Sequence, residues 1–225
     1  MVGMKVKRLF AGIYQIDGRL ATVNIAPGSR VYGEDLMIDG GIEYRSWNPY
    51  RSKLAAAILN GLKAMVIKKG SSVLYLGAST GTTASHVSDI VGSDGSVYCI
   101  EISERSMRDL IKICNNRHNI LPILKDARNA DAYAEDVGLA DSIYQDVAAK
   151  DQDAILLRNA ELLKKGGYAY VAIKSQSIDV GRNPEAVFKG FLDSVSSKFD
   201  VMEKIDIEPY DRMHLFAVLK KRQKS

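Results

Sequence analysis

Cysteine is scarce in these 225 residues: only Cys99 and Cys114 occur. Neither has metal-ligand spacing to the other or to a histidine, so the expectation is two reduced thiols and no metal. No apolar run approaches the roughly 18 residues of a membrane span. The basic start, Met1 to Arg8, is not followed by a signal-peptide core, and a cytoplasmic protein is expected. Internal repeats and low-complexity segments are missing. Charge of neither sign dominates: 31 Lys and Arg face 27 Asp and Glu, a net charge of +4. That balance permits RNA binding without requiring it. Two common phosphate-binding signatures are absent as well, the Gly-Lys-Ser/Thr ending of a P-loop and a clean G-x-G-x-x-G.

What is present is Ser72-Val-Leu-Tyr-Leu-Gly-Ala-Ser-Thr-Gly-Thr-Thr83. An apolar run stops at Gly77, and a loop of small residues (Ala78, Ser79, Thr80, Gly81) leads into a predicted helix from Thr82. Strand, turn and helix N-terminus together offer free N–H groups and a partial positive charge. Glu101 ends a second apolar run twenty residues after Gly81, where an acid can take ribose hydroxyls. Asp126 ends a third, and with the Ala127 N–H can read an adenine edge. The combination points to an adenosine-containing cofactor such as S-adenosylmethionine rather than a dinucleotide.

The chain changes rhythm near Asn48-Pro49. Before it, Asp17-Gly18 and Asp39-Gly40-Gly41 separate short apolar runs and predict hairpins of a small antiparallel β unit. After it, a helix is expected over 50–68. Strands are expected over 72–76, 97–101, 120–125, 142–147, 167–174, 200–207 and 214–220. Helices are expected over 82–91, 104–116, 151–165 and 183–197, with Gly166-Gly167 as a helix stop. This alternation predicts an α/β domain over 50–225, built on a mostly parallel, doubly wound seven-stranded sheet, beside a β domain over 1–49.

Four polar residues have no evident structural task. Asp146 closes the fourth strand, Lys174 the fifth, Lys53 opens the first helix, and His214 begins the last strand. A buried lysine beside another is expected to have a lowered pKa, and a carboxylate between them would position both. Methyl transfer to an alcohol needs such a set, because a hydroxyl must be aligned and its proton removed. A neutral lysine as base and a charged lysine as electrostatic guide both remain open. Trp47 reads as core at the domain boundary, and Arg45 and Arg51 as candidate phosphate contacts.

Tyr44-Arg-Ser-Trp-Asn-Pro-Tyr-Arg-Ser-Lys-Leu-Ala-Ala-Ala-Ile58, Leu74-Tyr-Leu-Gly-Ala-Ser-Thr-Gly-Thr-Thr-Ala-Ser-His-Val-Ser-Asp-Ile90 and Asp126-Ala-Arg128 resemble archaeal fibrillarins over essentially the whole chain. The resemblance implies a class I methyltransferase, Rossmann-like in fold. It would use S-adenosylmethionine to methylate ribose 2′-hydroxyls of rRNA or tRNA. It implies a catalytic set at Lys53, Asp146, Lys174 and His214. It also implies cofactor contacts at Thr82, Thr83, Glu101, Ile102, Asp126, Ala127, and Asp146 through Val147, Ala148 and Ala149. Gly77, Ala78 and Gly81 complete the expected pocket. Box C/D guide RNA, target RNA, a Nop-family scaffold and a kink-turn-binding protein are the implied partners. The chain departs from the family pattern at Ile102, Gln145, Ala149, Lys150 and Met213. The alternatives are a small-molecule O-methyltransferase and a non-catalytic ribonucleoprotein subunit.

Overall fold

A computed structural model describes residues 4–223. Its first sheet is antiparallel, in the order β1-β2-β3-β5-β4. The strands are β1 (Val6–Phe10), β2 (Ile13–Ile16), β3 (Arg19–Val23), β4 (Leu36–Asp39) and β5 (Ile42–Ser46). Asp17-Gly18 and Gly40-Gly41 close two-residue hairpins between Ile16↔Arg19 and Asp39↔Ile42, as the turn residues predict. The strand β1 was not anticipated, because Val6-Lys-Arg-Leu-Phe10 carries its apolar residues without clean alternation.

The second sheet has seven strands: β6 (Ser72–Leu76), β7 (Ser96–Glu101), β8 (Ile120–Leu124), β9 (Ala140–Gln145), β10 (Leu163–Lys174), β11 (Phe199–Asp206) and β12 (His214–Lys221). Their order is β11-β12-β10-β9-β6-β7-β8. All pairs are parallel except those made by β12, which runs antiparallel to β10 and β11. Helices α1 (Lys53–Leu59), α2 (Thr82–Val91), α3 (Glu104–Cys114), α4 (Ala134–Val137), α5 (Gln152–Asn159), α6 (Ser175–Ile178) and α7 (Pro184–Val195) complete the fold. Apolar cores form on both faces of the sheet, one including Tyr75, Tyr144 and Tyr170, the other Leu74, Ile143 and Val171. From β6 the chain winds out to β7 and β8, then returns to β9 on the other side. The β6/β9 seam is thus the switch point at which such sheets bind ligands.

Two expectations of local structure fail. The helix expected over 50–68 is a 3₁₀ turn, Pro49–Arg51, followed by the seven-residue α1. It stops at Asn60-Gly61, with Gly61 at φ +96°. Leu62 and Ile67 are buried nonetheless, because the irregular chain finds its hydrogen bonds elsewhere. Lys63 N and Ala64 N donate to the Glu203 carboxylate, and Val66 N to Tyr170 Oη. Apolar spacing therefore persisted where the helix did not. Gly166-Gly167 is no helix stop either. The helix α5 ends at Asn159, a 3₁₀ turn follows over Ala160–Leu162, and both glycines lie inside β10, where the register shifts between Leu163 and Tyr168.

A polar network joins the first sheet to helix α2. The Arg45 guanidinium reaches Glu34 Oε1 at 2.6 Å and Asp89 Oδ2 at 2.8 Å, with all three side chains fully buried. Arg45 is therefore no phosphate contact. Arg117 donates to Asn24 Oδ1 at 2.8 Å and pairs with Asp89. His86 lies against Thr22 Oγ1 at 2.8 Å and Tyr32 Oη at 2.7 Å, stacked on Trp47. Burial first, then the charges of Arg45 and Arg117, push the His86 pKa well below 6.5. Trp47 is 1% exposed, core as expected.

Candidate active site

The site lies at the carboxyl ends of β6 to β10. The loop after β6 turns at Gly77 (φ +79°), where a side chain is barred by conformation and by space. A Cβ there would sit 3.0 Å from Asp146 O. The helix α2 then starts on Gly81. Glu101, 8% exposed, fastens this loop: Oε2 accepts from Ser79 N at 2.7 Å and Oε1 from Ser103 N at 2.8 Å. Each oxygen keeps a second lone pair for a ligand hydroxyl.

A cavity of about 310 Å³ opens between these strand ends, the size of a small-molecule site. Gly77, Glu101, Ile102, Asp126, Ala127, Asp146, Val147, Ala148, Ala149 and Lys174 line it, together with Ser79, Lys125 and Arg128, which the sequence reading did not single out. Arg128 bridges Asp126 and Asp151, holding the latter with two bonds of 2.8 and 2.9 Å. The Ala127 carbonyl accepts from Asn159 Nδ2 at 2.9 Å. No described group accepts from its N–H, which remains available to a ligand. Ala78, Gly81 and Thr83 lie behind the wall rather than on it. Thr83 Oγ1 donates to Ser52 Oγ at 3.0 Å, and Thr82 faces a second cavity.

The loop after β9 is braced by two glutamines. Gln145 Nε2 donates to Gln152 O at 2.8 Å, and Gln152 Nε2 to Ala149 O at 3.1 Å. Gln145 is wholly buried, and its Oε1 has no partner among the described residues. Thus the departure at Gln145 supports the loop that carries Asp146 to Ala149.

The four polar residues converge. Lys174 Nζ lies 2.7 Å from Asp146 Oδ1 and donates to Asp146 O at 2.9 Å. Lys53 Nζ lies 3.2 Å from Asp146 Oδ1. His214 faces Lys174 in the β10–β12 register. Asp211, which the sequence reading missed, joins them: its Oδ2 is 3.5 Å from Lys53 Nζ and its Oδ1 3.0 Å from His214 Nδ1. The carboxylate between two lysines is as expected. Burial pushes the Lys53 pKa down, yet Asp146 and Asp211 more than offset it and raise the value above the usual lysine range. Lys53 is an ammonium at neutral pH. Burial also raises both thiols, Cys99 and Cys114, which stay protonated. No cluster of three or more His, Cys, Asp or Glu is placed to hold a metal ion among the described residues.

Residues 4–223 match the fibrillarin family model. The chain belongs to the fibrillarin family. It is 50% identical over 227 residues to the fibrillarin-like rRNA/tRNA 2′-O-methyltransferase of Pyrococcus furiosus, covering 98% of this chain and 100% of that one. Among solved structures it resembles the fibrillarin pre-rRNA processing protein of Methanococcus jannaschii, with a TM-score of 0.95, 46% identity and complete coverage of both chains. An Aeropyrum pernix fibrillarin with natively bound S-adenosyl-L-methionine aligns at a TM-score of 0.89 and 44% identity, over 97% of this chain and all of that one. A fibrillarin in complex with Nop5p aligns at 0.87 and 39% identity, over 96% and 100%. The family's fold, a seven-stranded sheet beside an antiparallel β module, is the one described above. No helix among the described residues is long and apolar enough to cross a membrane.

Proposed function

We propose that this chain transfers a methyl group from S-adenosylmethionine to ribose 2′-hydroxyls of rRNA or tRNA within a box C/D ribonucleoprotein. The observation that carries the reading is the pair of lysines held on Asp146 at the mouth of the cavity. The cavity fits the cofactor's adenosine: Glu101 for the ribose, Asp126 and the Ala127 N–H for the adenine, and Ile102 and the 147–149 loop as apolar walls. The bare floor at Gly77 leaves room for the ligand against the Asp146 backbone. S-adenosylmethionine, when bound, supplies an electrophilic methyl on a sulfonium.

The chain's own residues prepare the hydroxyl. Lys174 donates one N–H to Asp146 O and pairs with the Asp146 carboxylate at 2.7 Å. An N–H left over is free to hold the substrate oxygen and aim its lone pair. Lys53 adds a fixed positive charge and, being protonated, is not the base. The second cavity, of about 380 Å³, is lined by Arg30, Arg51 and Lys112 as well as Thr82. Neither arginine pairs with a carboxylate among the described residues, so the groove suits the phosphates of an RNA strand. In this reading a guide RNA selects the target, a Nop-family scaffold and a kink-turn-binding protein hold it, and the particle works in the cytoplasm. The division at 49/50 into a β domain and a methyltransferase domain belongs to the same reading.

Reconstitution with guide RNA, scaffold and kink-turn protein tests it. Labelled methyl is expected to pass to a target with a 2′-hydroxyl and not to its 2′-deoxy counterpart. Equal labelling of the two would overturn the assignment.

A further inference from the structure

We propose that Asp211 is a positioning residue. It fixes His214 with its proton on Nδ1, so that Nε2 receives the proton of the ribose 2′-hydroxyl. The inference rests on the methyltransferase reading above.

Two acceptors surround His214 Nδ1. Arg212 O lies 2.7 Å away and Asp211 Oδ1 3.0 Å away. A carbonyl can only accept, so Nδ1 must donate, and the neutral ring then carries its lone pair on Nε2. No described residue makes a hydrogen bond to Nε2. The backbone that carries the ring is held as well: His214 pairs in register with Lys174 of β10, and Ser175 N and Oγ donate to Met213 O at 3.3 and 2.8 Å. The other carboxylate oxygen of Asp211 faces Lys53. The charged groups near the ring are therefore Asp211, which reaches Lys53, and Lys174 on the facing strand, which reaches Asp146 in the loop after β9.

Neither lysine is as well placed to accept a proton. Lys53 is kept protonated by Asp146 and Asp211, and Lys174 donates to Asp146 O and lies 2.7 Å from Asp146 Oδ1. In the transfer, the bond from methyl carbon to sulfur breaks and its electron pair stays on sulfur. A bond from the ribose oxygen to that carbon forms, and the O–H proton passes to Nε2. The resulting imidazolium is balanced by Asp211. A carboxylate that orients a histidine and stabilises its charged form plays the same part in hydrolytic triads.

The tautomer can be read without activity. The chain has three histidines, so ¹⁵N spectra of the free protein, with His214→Gln for assignment, resolve each ring. The neutral His214 ring is expected to carry its proton on Nδ1. A proton on Nε2 would overturn the proposal. In the reconstituted particle, Asp211→Asn is expected to lower kcat at least tenfold with KM for cofactor and RNA unchanged, and Asp211→Glu to recover part of the loss. Wild-type kcat in Asp211→Asn, or a loss confined to KM, would also overturn it. If the unsubstituted particle leaves 2′-hydroxyls unmethylated, the activity reading fails, and the tautomer stands or falls on the spectrum alone.

Discussion

At the residue scale, Lys53 occupies a position that helix physics disfavours. It is the first residue of α1, after the N-cap Ser52, where the helix dipole repels a cation. It is also largely buried. Asp146 and Asp211 more than offset both costs. Lys53→Met takes the ammonium from two carboxylates and is expected to lower the melting temperature, while transfer falls on the order of tenfold to a hundredfold. The pKa of Lys53 is raised, so its pairing is fully present below the unfolded value and is lost only as pH rises through the folded one. The deficit of Lys53→Met should accordingly be constant between pH 6 and 9, which parallel rate profiles of the two proteins would check. Lys174→Ala is expected to abolish transfer while calorimetry still detects S-adenosylmethionine binding. Lys53, Asp146, Lys174 and His214 were legible in the sequence because each stands at an end of an apolar run or at the start of a helix. Asp211 was not. It lies in the turn between β11 and β12, where no periodicity fixes direction, and only its position three residues before His214 hinted at a pairing.

At the scale of elements, the strand–loop–helix from Ser72 to Val91 was readable because apolar strand, small loop and helix start agree with one another. Its function depends on the close approach of Gly77 to the Asp146 backbone. Gly77→Ala adds a methyl into that 3.0 Å gap at φ +79°, and should displace the 146–149 loop. An affinity for S-adenosylmethionine at least tenfold weaker is expected by calorimetry, with the far-ultraviolet circular dichroism unchanged. The length of α1 was not readable. Leu62 and Met65 continue the helical spacing of Leu54 and Ile58 past Gly61, but the chain there is held by Glu203 and Tyr170 from strands over a hundred residues away. Local sequence carries no sign of such distant acceptors and donors.

At the scale of the molecule, the first sheet is joined to helix α2 by charge as well as by apolar packing. Arg45 holds Glu34 and Asp89 with no access to water. Arg45→Met leaves the buried Glu34 carboxylate without its ion-pair partner and Asp89 with Arg117 alone, and is expected to cost about 3–5 kcal/mol in denaturant unfolding. His86 adds a pH dependence. Its folded pKa lies well below 6.5, so below about pH 6.5 the unfolded chain binds a proton that the folded one does not. Stability from this group is full above that pH and falls as acid is added, with a limiting slope of about 1.4 kcal/mol per pH unit. His86→Gln should flatten the slope between pH 6 and 5 by about that amount. The seven-stranded, mostly parallel sheet was evident from the alternation of runs, whereas this network was hidden. Arg45 read as a surface cation because nothing in its neighbourhood announces Glu34 or Asp89 as partners.

The strand β12 is the last of the sheet's seven in sequence order but not at its margin, since it lies between β10 and β11. A ribosome therefore completes this sheet from the middle. Until residues 214 to 221 clear the exit tunnel, β10 keeps an unpaired edge, β11 has no neighbour in the sheet, and His214 has not joined its partners. The sheet stays both incomplete and adhesive until β12 emerges. A stop codon shortly before His214 would leave a protein that had lost its chemistry and kept open edges for its neighbours to stick to.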